Sequence, residues 1–249
     1  MSITRDYNDL LQRVEALEGS EYSHRVLAEI AGYPILLVRR SVREDLPTAL
    51  ITGGTHGDEP AGIEAVMAFL QRDASAFLPH INFEVLVCLN AYGYVHNTRH
   101  NFQDIDVNWA WERDDVPEVQ VVKEWVRGRY FEFIFDCHED WESPGFYLYE
   151  LRRGAAGISE EVVAAVEKVC PLNLDDEIEG IAAAGGIVST DAVKTEEEKG
   201  KGIPIELYNG YTDHLLTSES PTEFDMEVRV GAHMAALDVV LTAHLPKND

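Results

Sequence analysis

The sequence predicts an α/β fold: a single-domain α/β/α sandwich around a mixed, mostly parallel central sheet. Two observations predict it. Apolar runs of about four to eight residues, bounded by turn residues, alternate with longer stretches of helical periodicity, the pattern of strands covered by helices on both faces. The alternation continues through residues 1–249 without an internal repeat or low-complexity tract, so one domain with a sizeable core is expected.

The elements follow in order. Residues 6–17 carry Leu10, Leu11, Val14 and Leu17 at helical spacing. PILLVRR (34–40) and TALITGG (48–54) read as strands, and AGIEAVMAFLQ (61–71) as a helix. FEVLVCLN (83–90) is the next strand and VPEVQVVKEWV (116–126) the next helix. FEFIFDCH (131–138) and GFYLYEL (145–151) are strands, and SEEVVAAVEKV (159–169) is a helix. Residues 171–202, with LDDEIEG, an Ala-Gly patch and KTEEEKGKG, read as an excursion over the surface, because a strand candidate, IPIELY (203–208), follows. EFDMEVRVGAHMAALDVVLTAHL (223–245) closes the chain as a helix.

Composition excludes several classes. Hydrophobic residues at 45% and charged residues at 26% are ordinary for a soluble protein, and no apolar run reaches membrane-spanning length. MSITRDYNDLLQRVEAL is charged throughout, unlike a secretory leader. Three widely spaced cysteines, Cys88, Cys137 and Cys170, argue against a disulfide framework, and a cytoplasmic location is expected. With 45 acidic against 20 basic residues and only pairs such as Arg39-Arg40 and Arg152-Arg153, the chain lacks the basic face that nucleic acid requires. Nothing in the pattern sets an oligomeric state.

Ligand chemistry in such sheets collects at the carboxyl ends of the strands. TALITGG leads into His56 and Glu59, FEVLVCLN ends at Asn90 with Gly93 beyond, and FEFIFDCH ends at His138 followed by Glu139 and Asp140. Catalytic zinc takes three protein ligands, often two His and a Glu, and keeps a position open for water. A close pair, His56 and Glu59, with His138 a further 79 residues on (138 − 59), suits that need. Among nine histidines and 45 acids an isolated H-x-x-E arises easily by chance, so the coincidence at strand ends carries the inference.

The order of motifs resembles that of the zinc carboxypeptidase (carboxypeptidase A-like) superfamily, which includes the succinylglutamate desuccinylase/aspartoacylase branch. GGTHGDE matches its glycine-ended strand and H-x-x-E, Asn90-Ala91-Tyr92-Gly93 its N-P-x-G-like turn, and Arg99 with Asp106-Val107-Asn108-Trp109 its arginine and D-x-N-R segment. FDCH ends at the second histidine, His138, and LLTSESP places Glu219 on a late strand. The resemblance implies a single zinc carboxypeptidase-like catalytic domain in which His56, Glu59 and His138 hold one Zn2+ ion. Glu219 would be the general base and Arg99 the oxyanion stabiliser, with Asn108, Tyr208 and Tyr211 binding substrate. Asp58 and Asp136 would orient the ligands from outside.

Two departures stand out: the loop tyrosine of that superfamily has no clean match here, Tyr208 and Tyr211 lying closer to Glu219 than its pattern implies, and an arginine is replaced. The arginine that anchors the substrate carboxylate in that superfamily is Trp109 here, and indole cannot make a bidentate contact to a carboxylate. Arg113 or Arg152 could fill the gap. The acids Glu139, Asp140 and Glu142 beyond His138 could hold a second metal ion, attract a cationic substrate group, or simply be a solvated loop. Trp109, Trp111 and Trp141 are expected near the same mouth. The leading functional expectation is a zinc-dependent metallopeptidase that cleaves an amide bond of a short peptide through a zinc-activated water. The alternatives are an N-acyl-amino-acid deacylase of the desuccinylase/aspartoacylase type and a catalytically silent binding protein on the same fold.

Overall fold

The computed structural model describes residues 5–189 and 205–246. In chain order their elements are α1 (Tyr7–Glu15), β1 (Tyr22–Ile30), β2 (Tyr33–Arg40), β3 (Thr48–Gly53), α2 (Pro60–Gln71), β4 (Asn82–Leu86), α3 (Ala91–His96) and α4 (Pro117–Val126). Then come β5 (Ile134–Asp140), β6 (Tyr147–Arg152), α5 (Ser159–Val166), β7 (Glu177–Ile178), β8 (Ile181–Ala184), β9 (Ile187–Val188), α6 (Ile205–Tyr211), β10 (His214–Pro221) and α7 (Met226–Ala243).

The strands form one sheet in the order β1-β2-β4-β3-β5-β10-β6-β9-β8-β7. Its centre is parallel: β3 pairs with β4 and β5, and β5 with β10. Antiparallel β2 and β1 extend one side, and antiparallel β6 begins the other. This is the mixed α/β sheet that the alternating pattern predicts. The central strands are apolar on both faces because both are covered: Leu50, Ile51, Phe83, Phe135, Leu215 and Leu216 are fully buried. Each such side chain contributes about 1.5–3 kcal/mol by leaving water. Helix α2 packs on β3 and β5, and α7 packs on α2, α5 and β10, while α3 and α4 lie against β2 and β1. No helix among the described residues is long and apolar enough to cross a membrane, and all three cysteines are buried and unpaired.

One expectation is corrected, and two parts of the sheet go beyond what the sequence predicts. The segment expected as a strand over 203–208 is helical from Ile205 onward, while residues 203 and 204 lie outside the described residues. A short, mostly apolar run fits either element, and β10 already fills the sheet position between β5 and β6. Strand β1 gave no apolar signal, because YSHRVLAEI is a bulged edge strand with most side chains exposed or half-exposed. The excursion over 171–202 adds β7, β8 and β9 to the sheet edge, with its KTEEEKGKG part outside the described residues. Glu179 (φ 51°) and Gly180 (φ 79°) make the two-residue turn between β7 and β8, both left-handed as such tight hairpins require.

The run 83–90 also leaves its ladder early. After Leu86 the backbone bends toward β3, where Leu89 N–H and Asn90 N–H donate to the carbonyls of Gly53 and Gly54. That bend carries Asn90 to the start of α3, where its side chain accepts from Gly93 N–H and donates to the Arg99 carbonyl. Strand ends and the Arg99 loop are thereby tied to one place.

Candidate metal centre

The glycines of GGTHGDE have separate geometric reasons. Gly54 holds φ +67°, and a Cβ on Gly57 would lie 1.9 Å from the Gly93 carbonyl carbon, so the loop can pass α3 only as glycine. Helix α2 then starts with Pro60 in its first turn and Glu59 as N-cap. Glu59 does not cap the helix with its side chain. The Ala61 N–H donates instead to Glu139 Oε2 at 2.6 Å, leaving the Glu59 carboxylate for other work.

That carboxylate faces two imidazoles. Glu59 Oε1 lies 2.6 Å from His56 Nδ1, Glu59 Oε2 lies 2.9 Å from His138 Nδ1, and the two Nδ1 atoms are 3.2 Å apart. The far nitrogens are fixed as well: His56 Nε2 contacts Asp106 Oδ1 at 2.9 Å, and His138 Nε2 contacts Asp136 Oδ2 at 3.1 Å. Thr52 donates its hydroxyl to the other oxygen of Asp136. A carboxylate can only accept, so each Nε2 carries a proton. Both Nδ1 atoms and both Glu59 oxygens then converge on one point, an arrangement that a proton on each ring or a bound cation satisfies. Donors about 2.1 Å from a tetrahedral ion stand about 3.4 Å apart. The three donors here, all within 4.8 Å of one another, suit that purpose, and they are the one such group among the described residues.

Electrostatics agree. Burial opposes charge on each member, but the partners outweigh it. Glu59 and Asp106 hold His56 above its ordinary pKa, and Asp136 with Glu59 raise His138 well above. The two histidines hold Glu59 well below the usual carboxylate range. Glu219 goes the other way: burial, reinforced by Glu59, Glu179 and Asp140, raises it well above that range against the pull of His138.

The centre opens into a pocket of about 280 Å³. Arg99, Asn108 and Glu219 line it together with His56 and Glu59. On β10, Glu219 stands in register beside His138 of β5 and Tyr147 of β6. It accepts no hydrogen bond from any described residue although it is only 6% exposed. Arg99 donates from Nε to Asp106 at 2.8 Å and from Nη1 to Glu59 at 3.1 Å.

Other predicted residues fall elsewhere. Tyr208 and Tyr211 do not line the pocket. They sit in α6 near the start of β10, where the Tyr208 ring packs under Arg153 and the Tyr211 carbonyl accepts from Phe131 N–H. Asp58 is exposed, and Asp106 takes the orienting place beside His56. Trp111 is buried in the core, leaving Trp109 and Trp141 at the mouth. Arg113 is paired to Asp115 and Arg152 to the Ala156 carbonyl, and neither lines the pocket. Glu139 binds Ala61 N–H and Arg229, roles that do not fit a second metal ion. Sequence reasoning missed Tyr147 and Glu179 at the pocket; the alternation of GFYLYEL placed Tyr147 on a strand, but no local signal pointed to Glu179.

No family model and no curated sequence matches the chain. Solved structures do match. A proposed metallopeptidase from Shewanella denitrificans superposes with a TM-score of 0.77 at 24% identity, covering 95% of this chain and 88% of that one. A metallo-carboxypeptidase from Pseudomonas aeruginosa, in complex with (2-guanidinoethylmercapto)succinic acid, gives 0.63 at 17% identity, covering 96% and 69%. Bovine thrombin-activatable fibrinolysis inhibitor, in complex with tick carboxypeptidase inhibitor, gives 0.64 at 12%, covering 97% of each chain. The chain thus has the mixed α/β fold shared by these metallopeptidases and metallo-carboxypeptidases.

Proposed function

We propose that this chain is a zinc-dependent metallopeptidase of carboxypeptidase type that hydrolyses an amide bond of a short peptide. One observation carries the reading: two carboxylate-braced imidazoles and Glu59 converge beside Glu219, a buried carboxylate that accepts no hydrogen bond from the described residues. His56, Glu59 and His138 would hold Zn2+, which when bound would supply a Lewis acid for the scissile carbonyl and for the attacking water. The remaining tasks fall to the chain. Glu219 accepts the proton of the attacking water and returns it to the leaving amine, a role its raised proton affinity supports. Arg99 has five N–H donors and spends two on Asp106 and Glu59, so others remain for an oxygen that gains negative charge. Asp106 and Asp136 fix which histidine nitrogens face the ion.

Metal analysis of the purified protein should find about one zinc per chain, lost in His56→Ala and in His138→Ala. Glu219→Gln should retain the zinc and lose about 10²–10⁴-fold in kcat. A panel of short peptides and acetyl- and succinyl-amino acids, run with and without chelator, tests the class. Turnover of the acyl-amino acids alone would replace this reading with the deacylase, and no turnover of anything would leave a binding protein.

A further inference from the structure

The charges lining the pocket do not balance, and the imbalance bears on what enters it. Three carboxylates around the centre have cationic or imidazole partners: Glu59 has both histidines and Arg99, Asp106 has His56 and Arg99, and Glu139 has Arg229 at 2.5 Å. Asp140 and Glu179 have none among the described residues. Asp140 accepts from the Tyr147 hydroxyl at 3.0 Å and from Glu142 N–H, and Glu179 accepts from the Tyr149 hydroxyl at 2.6 Å. Neutral donors orient a carboxylate but leave its charge in place. Tyr147 and Tyr149 lie two apart on β6 and share one face, their rings in edge contact at 5.9 Å. They hold carboxylates from two separate segments, the end of β5 and the turn between β7 and β8. Glu179 adopts its left-handed backbone (φ 51°) at that turn.

The rest of the lining points the same way. Among the described residues Arg99 is the one lysine or arginine that lines the pocket, and it is already engaged by Asp106 and Glu59. Glu219 adds a carboxylate more than nine-tenths buried and without a hydrogen-bond partner among the described residues. Trp109 and Trp141 flank the mouth at 54% and 76% exposure. Exposed indoles cannot grip a carboxylate, but their faces attract cations.

We infer that the pocket selects substrates carrying an ammonium or guanidinium group close to the scissile amide, held between Asp140 and Glu179 and covered by Trp109 and Trp141. Substrates with several carboxylates are disfavoured by the same charges. The inference takes its substrate class from the peptidase reading, but its binding test does not depend on catalysis.

Paired peptides that differ only in arginine against citrulline, at either of the last two positions, isolate the charge because the two side chains are nearly isosteric. Kinetics are read on the zinc-loaded wild type, and affinities by calorimetry on Glu219→Gln. Arginine peptides should bind about tenfold tighter than citrulline peptides, with the gap shrinking as salt rises from about 0.05 to 0.5 M. Glu179→Gln and Asp140→Asn each keep an oxygen for the tyrosine hydroxyl and should cut the arginine preference several-fold, through KM and not kcat, with zinc content unchanged. Equal affinity for the two peptides overturns the inference, as does a preference that survives both substitutions. An arginine preference in binding without any turnover would sink the hydrolase reading alone, and turnover without preference would sink only this one.

Discussion

Glu59 stands at the N-cap of α2 and leaves the capping to Glu139, a substitution of roles that explains much of the centre. Glu139 is buried, accepts Ala61 N–H at 2.6 Å and Arg229 at 2.5 Å, and its own N–H donates to Glu59 Oε2 at 3.1 Å. One side chain thus fixes the helix start, spans to α7, and leaves the Glu59 carboxylate free to face the histidines. Removing one partner of a buried ion pair leaves the other unpaired in a poor solvent for charge. Glu139→Ala should therefore cost about 3 kcal/mol in urea unfolding and weaken zinc affinity, whereas Glu142→Ala, at the exposed mouth, should cost less than about 0.5 kcal/mol. Equal costs for the two would refute the clamp. At this scale His56, Glu59 and His138 were legible because chemistry-bearing residues stood together at predicted strand ends. Asp106 was visible as a motif but not as the partner of His56, because 50 residues separate them and only the folded loop brings them together.

The same device recurs one element further on. Helix α5 also lacks a cap from its own N-cap residue, Ile158, and a strand carboxylate supplies it: Glu150 of β6 accepts from Ile158 N–H, Ser159 N–H and the Ser159 hydroxyl. His214 at the start of β10 donates from Nε2 to the same carboxylate at 2.9 Å. Carboxylates on β5 and β6 therefore seat two helices on the sheet, an arrangement invisible in sequence because each cap comes from a different element. Burial pushes Glu150 up, but His214, Ser159 and the Ile158 N–H outweigh it and bring it to about 2. A carboxylate with a depressed folded pKa stabilises above its unfolded value, here 4.5, and that stability is lost as pH falls toward the folded value. Glu150→Gln should be less stable than the parent by about 2 kcal/mol at neutral pH, the difference closing between pH of about 4.5 and 2. Urea midpoints measured across that window check it, and a difference that stays constant with pH would rule the linkage out. The strand β1 and helix α6 show the other limit of element-scale reading: an exposed edge needs little apolar pattern, and a short, mostly apolar run does not choose its element.

Across the whole molecule, the fold class was legible because the central strands are buried on both faces and so read as unbroken apolar runs, whereas the excess of acid said nothing about location. Net charge −25 is a sum, and only the fold separates the carboxylates matched by Arg99 and Arg229 from those left unmatched at the mouth. The sum still has a consequence of its own. Exposed pairs such as Arg43 with Asp45 and Arg113 with Asp115 contribute little, and salt weakens them. The 25 surplus negative charges repel one another over the whole surface, and salt weakens that repulsion too, since the screening length falls from about 30 Å at 0.01 M to about 10 Å at 0.1 M. Twenty basic residues cannot offset 45 acids, so the repulsive part is the larger and its loss should dominate. Raising sodium chloride from about 0.01 to 0.2 M at neutral pH should therefore raise Tm by several degrees, roughly 2–4 °C for each kcal/mol recovered. Scanning calorimetry over that range decides the matter: a Tm that falls would mean that the ion pairs, and not the excess charge, govern the stability of this chain.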